Sequence, residues 1–227
     1  MYDLIIKNGL IYDGKGSEPF EADIGISEDK IVAIGKIEED SIETIDAKGK
    51  IVTPGFVDIH THYDGQVTWD PYLRPSTYHG VTTVVMGNCG VGFSPCKPDQ
   101  RDWLIGLMEG VEDIPGTALH EGIDWEWESF PEYLDALEKK PLAIDVGTQI
   151  PHGAVRAYVM GERGINHEEA SEDEINKMKE IVREAVEAGA YGFSTSRTEK
   201  HNDVNGKLTP SITALNTELL EISKSLG

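Results

Sequence analysis

The chain has 227 residues, 39% hydrophobic and 27% charged, which is typical of a globular protein with one sizeable core or two small ones. Its formal net charge of -21 predicts repulsion from nucleic acid and from anionic membrane surfaces. No apolar run approaches ~18 residues, and no basic region precedes an apolar stretch at the N-terminus. We therefore expect a cytoplasmic protein with no membrane partner and no nucleic acid partner.

Residues 1–53 predict short strands separated by turns. Apolar segments alternate with turn signals such as Asn8-Gly9 and Asp13-Gly14. The predicted strands cover 4–6, 10–12, 22–26, 31–35, 44–47 and 50–52. Their apolar faces need further strands to bury them. We therefore predict that residues 1–53 form the N-terminal part of a small β-sandwich.

From residue 54 onward, strands alternate with helices, as is typical of parallel βα units. Predicted strands cover 55–60, 82–86, 142–147 and 190–197. Predicted helices cover 99–110, 129–140, 171–188 and 213–226, while 111–128 is predicted to be an acidic loop. Capping boxes at Ser129 and Ser171 open two of the helices, and Gly189 ends one. Residues 54–227 thus predict the first four βα units of an incomplete TIM-like (β/α)8 barrel, an α/β fold.

An apolar strand from Gly55 to Ile59 leads into His60-Thr61-His62. Side chains alternate along a strand, so the two imidazoles should lie on the same face. Neutral imidazole is a preferred ligand of zinc and related metals. Two histidines at a strand end can equally be polar residues with ordinary hydrogen-bond partners, so the pair alone leaves both interpretations open.

The two cysteines, Cys89 and Cys96, lie seven residues apart, and we expect no disulfide between them in a cytosolic protein. Cys96 follows a proline in a loop and is predicted to be an ordinary thiol. Cys89 lies at a strand end among glycines. Its residue context is compatible both with a small buried apolar side chain and with a metal ligand.

Two segments resemble a known family. The sequence IVTPGFVDIHTHYD at 51–64 resembles the signature of the amidohydrolase superfamily, in which the histidines matching His60 and His62 bind metal on the first barrel strand. The sequence GVTTVVMGNCG at 80–90 is similar to the second strand of the N-acyl-D-amino-acid deacylase (D-aminoacylase) branch. There the cysteine matching Cys89 is a metal ligand. The resemblance covers essentially the whole chain.

This resemblance implies a metal-dependent hydrolase of carbon–nitrogen bonds, with one or two Zn²⁺ ions and a small N-acyl amino acid as substrate. Metal-activated water would cleave the amide to a carboxylate and a D-amino acid. Asp64 would orient the metal-binding residues without binding the metal itself, or would belong to an ordinary loop. The family's further histidine ligands and its catalytic aspartate would lie beyond Gly227, so we expect no catalytic residue in this chain.

A complete barrel takes ~250 residues, more than 54–227 provides. We therefore expect the N-terminal half of a longer enzyme, inactive without its C-terminal half. His152, Arg197 and His201 follow the third and fourth predicted strands, on the side where such barrels bind substrate. They are candidate substrate-binding residues.

Two other functions stay open. A cyclic amide hydrolase of the dihydropyrimidinase type would look much the same as far as His62, although Asn88-Cys89-Gly90 argues against it. A non-catalytic fragment or scaffold would keep the fold without the chemistry.

Overall fold

The computed structural model describes residues 1–226, which form two compact units, Met1–Gly55 and a second that begins at Phe56. The predicted second domain ends at Gly227, which lies outside the described residues. Among the described residues, no helix is both long and apolar enough to cross a membrane. The whole is a mixed α/β fold.

The first unit is a five-stranded sheet. Its strands are β1 (Tyr2–Ile11), β2 (Phe20–Ser27), β3 (Lys30–Gly35), β4 (Ser41–Asp46) and β5 (Ile51–Val52). The order is β3-β2-β1-β4, and β5 also pairs with β1. Strand β1 runs antiparallel to β2 and parallel to β4 and β5. The buried side chains of this sheet include Ile5, Ile11 and Ile24, whereas Ile34 and Ile42 are exposed.

Strand β1 corrects one expectation, because Asn8-Gly9 does not form a turn. Asn8 has a φ of 59°, and the pairing with β2 shifts register between Ile6 and Gly9, so the chain bulges and continues as one strand. The Asn8 N–H donates to Asp23 Oδ1 at 2.9 Å, and its side-chain amide donates to Asp46 Oδ1 at 2.9 Å. These bonds hold the left-handed residue within the sheet.

The second unit contains two parallel sheets. The first has the order β6 (Phe56–Asp58), β7 (Val81–Met86), β8 (Asp145–Thr148), and the second pairs β9 (Ile150–Pro151) with β10 (Phe193–Ser194). The helices are α1 (Arg101–Glu112), α2 (Gly116–Gly122), α3 (Phe130–Glu138), α4 (His152–Met160), α5 (Glu162–Ile165), α6 (Glu172–Ala188) and α7 (Asn216–Ser223). Apolar residues of the central strands and helices, such as Val84, Met86, Leu107 and Met108, form the core.

The two capping boxes are confirmed. The Ser129 and Ser171 hydroxyl oxygens accept from backbone N–H groups three residues on, and Glu132 and Glu174 accept from the serine N–H groups at 2.8 Å. Each box satisfies two backbone donors that a helix start leaves free. Gly189, with a φ of 120°, ends α6 as predicted.

Three helices were not expected. Helix α2 lies inside the predicted loop 111–128, and α4 and α5 follow the third predicted strand directly. Most of α4 is buried, so it has no polar face and no amphipathic period that a sequence pattern would reveal. The fourth predicted strand, 190–197, shrinks to the two residues of β10.

Candidate metal centre

The ends of β6 and β7 bring His60, His62 and Cys89 together. Thr61 N–H donates to Val85 O at 3.0 Å, which holds the chain after β6 against β7. Cys89 Sγ lies 3.1 Å from His60 Nε2. One donor atom from each of the three residues lies within 4.8 Å of the others. Two imidazoles and a thiol at such distances are a donor set that suits zinc.

Cys89 owes its position to a tight turn. Its φ of 55° is unusual for a residue with a side chain, and such strain is often found at functional sites. Gly87 precedes it with a φ of 71°, and a Cβ at this position would lie 1.9 Å from Gln149 O. Only glycine fits there, so the segment Gly87–Gly90 can turn sharply after β7 and present the thiol beside His60.

Ser194 on β10 ties the two sides of this turn together. Its Oγ accepts from Gly90 N–H at 3.0 Å, and its hydroxyl donates to the carbonyl of Gly87. Asn88 adds a bond from its side-chain amide to Val85 O at 2.8 Å. Hydrogen bonds therefore hold the backbone at Gly87 and at Gly90, before and after Cys89, which restricts the direction of its side chain.

Asp64 is buried and contacts the same turn. Its Oδ1 accepts from Gly87 N–H at 2.8 Å, while its Oδ2 has no hydrogen-bond partner among the described residues. Burial raises the pKa of Asp64 to about 7 against the effect of that bond. Asp64 thus supports the turn that carries Cys89.

The two histidines differ in exposure. Their ring centroids lie 5.4 Å apart with planes inclined at 55°, and His60 is exposed whereas the His62 side chain is 12% exposed. Burial, together with the charges of His60 and His201, lowers the pKa of His62 to about 4. A neutral imidazole is the form that binds metal.

Glu112, the last residue of α1, was not among the residues predicted to belong to the site. Its Oε1 lies 3.2 Å from His62 Nε2. Both side chains line a cleft of about 330 Å³, together with His60, Asp58 and Gln66. Burial raises the pKa of Glu112, and the charge of Asp113 contributes. The histidines at 60 and 62 lie before β7, whereas Glu112 ends the helix that follows β7. No spacing pattern in the sequence links these two positions.

His152 belongs to a separate, buried network. Its Nδ1 lies 2.9 Å from Thr195 Oγ1 and its Nε2 lies 2.8 Å from Glu218 Oε1. Arg156 pairs with the other Glu218 oxygen and donates to Glu168 O at 2.7 Å. Burial lowers the pKa of His152, against the effect of Glu218. Both ring nitrogens have protein partners, so neither is free for a substrate.

The other two candidates lie in different surroundings. The Arg197 side chain donates to Ala214 O at 2.6 Å. His201 is half-buried, and its Nδ1 has no hydrogen-bond partner among residues 1–226. Burial and the charge of His60 lower the pKa of His201. His201 therefore keeps one buried ring nitrogen without a hydrogen-bond partner among the described residues, and its charge interacts with that of His60.

A family model described as "Amidohydrolase family" matches residues 43–219. The chain belongs to this family. A D-aminoacylase from Alcaligenes xylosoxydans xylosoxydans is 32% identical over 227 residues, which is 100% of this chain and 42% of the relative. These matches confirm the resemblance to the D-aminoacylase branch.

Solved structures of the same branch share the fold. A D-aminoacylase with a binuclear metal centre superposes with a TM-score of 0.81 at 31% identity, covering 100% of this chain and 43% of its own. An N-acyl-D-glutamate deacylase from Bordetella bronchiseptica, complexed with zinc and a phosphonate inhibitor, gives a TM-score of 0.81 at 30% identity over 99% of this chain and 42% of its own. The chain therefore spans less than half the length of these relatives.

Proposed function

We propose that this chain supplies the first part of a metal-dependent amidohydrolase that cleaves N-acyl-D-amino acids to a carboxylate and a free D-amino acid. The observation that carries the proposal is the cluster of His60, His62 and Cys89, whose donor atoms lie within 4.8 Å of one another. Similarity to D-aminoacylase and to N-acyl-D-aspartate and N-acyl-D-glutamate deacylases supports this substrate class.

The fold gives the proposal its architecture. We propose that residues 1–53 belong to a small β-sandwich and that 54–227 supply four βα units of a TIM-like barrel. The parallel order β6-β7-β8 supports the second assignment. In barrels of this kind, residues at the carboxyl ends of several strands form the active site. The remaining ligands and an aspartate acting as general base would come from outside residues 1–227.

The residues of this chain would bind the metal and orient it. His60 and His62 offer imidazole nitrogens, and the turn held by Ser194 and Asp64 presents the Cys89 sulfur beside them. A soft thiolate beside imidazoles favours zinc over magnesium or calcium. When bound, a divalent ion would polarise the amide carbonyl and lower the pKa of the attacking water. The cleft beside His60 and His62 would hold the acyl end of the substrate.

The test uses the full-length protein with matched D and L enantiomers of an N-acetyl amino acid, and measures release of the free amine. We expect turnover of the D form only, loss of turnover with a chelator, and recovery with Zn²⁺. Hydrolysis of a hydantoin or dihydropyrimidine in place of the N-acyl substrates would instead support the cyclic amide hydrolase.

Replacing cysteines tests the site itself. Cys89→Ala should remove tightly bound zinc and activity, whereas Cys96→Ala, at a buried thiol outside the cluster, should keep both. Unchanged zinc content and turnover in Cys89→Ala would show that the role proposed for Cys89 is wrong.

A further inference from the structure

The Glu112 carboxylate contacts the ring of His62, a residue of the predicted metal cluster. Its Oε1 lies 3.2 Å from His62 Nε2, and the two side chains are 24% and 12% exposed. The pair opens onto the cleft of about 330 Å³ that His60 also lines. A small ion could therefore reach both atoms from the cleft.

The spacing of the two atoms suits a shared ion. With bond lengths of ~2.0–2.2 Å, nitrogen and oxygen ligands of one tetrahedral zinc lie about 3.3–3.5 Å apart. The observed 3.2 Å between His62 Nε2 and Glu112 Oε1 is close to that value. Within the same cluster, Cys89 Sγ and His60 Nε2 form a second close pair at 3.1 Å.

Within residues 1–226, Glu112 forms no ion pair with a lysine or an arginine. The residues that line the cleft include Asp58 but neither lysine nor arginine. Glu112 is also the last residue of α1, where the partial negative charge of the helix end disfavours an anion. A carboxylate in this position is unfavourable in the absence of a cation, and a bound metal ion would compensate it.

We propose that Glu112 is a fourth metal-binding residue, whose carboxylate binds the same ion as His62. This assignment rests on the proposed function, because it assumes that the cluster of His60, His62 and Cys89 holds a metal. It adds a ligand from the end of a helix, and not of a strand, to the three residues whose donor atoms lie within 4.8 Å of one another.

The test measures metal binding to the full-length protein, without an activity assay. Glu112→Gln keeps the size of the side chain and removes its charge. Asp113→Asn is the matched control, because the neighbouring side chain is exposed, loses the same charge, and asparagine tolerates its φ of 55°. Zn²⁺ dissociation constants would be measured by competition with a chelator, and the Co²⁺-loaded proteins compared by their visible absorption.

Loss of a residue that hydrogen-bonds to a metal ligand typically weakens metal affinity by roughly 10- to 100-fold. Glu112→Gln should weaken Zn²⁺ binding by at least this factor, and it should change the Co²⁺ spectrum. Asp113→Asn should match wild type within about threefold. Glu112 is only partly buried, so circular dichroism should show both variants folded.

Two results would overturn the assignment alone: unchanged Zn²⁺ affinity in Glu112→Gln, or weaker binding with an unchanged Co²⁺ spectrum, which would mean that Glu112 acts only through its charge. A wild-type protein that binds no zinc would overturn the proposed function and this assignment together.

Discussion

Two histidine-containing clusters of the second unit have opposite character. At His60, His62 and Cys89 the side chains are exposed or half-buried, and their donor atoms converge on one another. At His152 and Glu218 the side chains are 0% and 2% exposed. Both clusters follow strand ends, so position along the chain does not distinguish them.

The difference lies in how the polar atoms are satisfied. Each ring nitrogen of His152 has a protein partner, and Glu218 binds His152 through one oxygen and Arg156 through the other. In the metal cluster, by contrast, His60 Nε2 and Cys89 Sγ pair only with each other at 3.1 Å, and His62 Nδ1 has no hydrogen-bond partner among the described residues. A closed network stabilises a fold, whereas donors that converge beside a cleft can accept a ligand.

The largest effect should come from breaking the closed network. Glu218→Ala leaves Arg156 buried without its carboxylate, and Arg156 is itself 1% exposed. Removing one partner of a buried pair costs about 3–5 kcal/mol in the free energy of unfolding. Denaturant unfolding followed by circular dichroism would measure it.

Glu221→Ala is the control for that experiment, because it removes a more exposed carboxylate from the same helix. An exposed ion pair contributes about 0–1 kcal/mol. Equal losses of stability in the two variants would contradict the distinction between the clusters.

The second prediction compares zinc binding after replacement of one histidine from each cluster. His60→Ala should reduce zinc binding by more than the roughly 10- to 100-fold typical of outer-shell residues. His152→Gln should lower stability but keep the zinc stoichiometry of its folded fraction, because His152 already has two protein partners. Equilibrium dialysis of the full-length variants would measure this, and loss of zinc in His152→Gln would make the two clusters equivalent.

A third, smaller effect concerns the turn that carries Cys89. Ser194→Ala leaves the buried N–H of Gly90 and the carbonyl of Gly87 without their partner. An unsatisfied buried polar group costs about 1–3 kcal/mol. Ser223→Ala, where the lost hydroxyl lies exposed at a helix end, should change stability by less than ~0.5 kcal/mol. Thermal unfolding of both variants would show whether Ser194 has this role.

Some of this arrangement is predictable from the sequence. His60 and His62 follow an apolar segment, Cys89 follows another, and the carboxyl ends of neighbouring parallel strands meet at one edge of a sheet. Glycines around Cys89 indicate a sharp turn. Local patterns alone left a second interpretation open for the two histidines and for Cys89, and the family resemblance selected the three residues that the fold brings together.

Other features leave no local pattern. Glu112 reaches His62 only because α1 ends beside the cleft, and in the sequence it is one of several acidic residues near the end of that helix, with Asp113 next to it. His152 lies in a helix whose residues are mostly buried, so no amphipathic period marks it. Its partner Glu218 comes from α7, a pairing that depends on tertiary packing alone.

The smallest effect concerns the two thiols, which differ in exposure: Cys89 is half-buried and Cys96 is buried. Cys96 is 0% exposed, and burial raises its pKa to about 12, so almost no reactive thiolate forms at neutral pH. Cys89 is half-buried beside the exposed His60.

In metal-free native protein, a maleimide should label Cys89 and leave Cys96 unmodified, and denaturant should expose both. Zn²⁺ should slow the labelling of Cys89, and peptide mass spectrometry would locate the label. Labelling of Cys96 first would mean that the loop around it opens more readily than the turn held by Ser194.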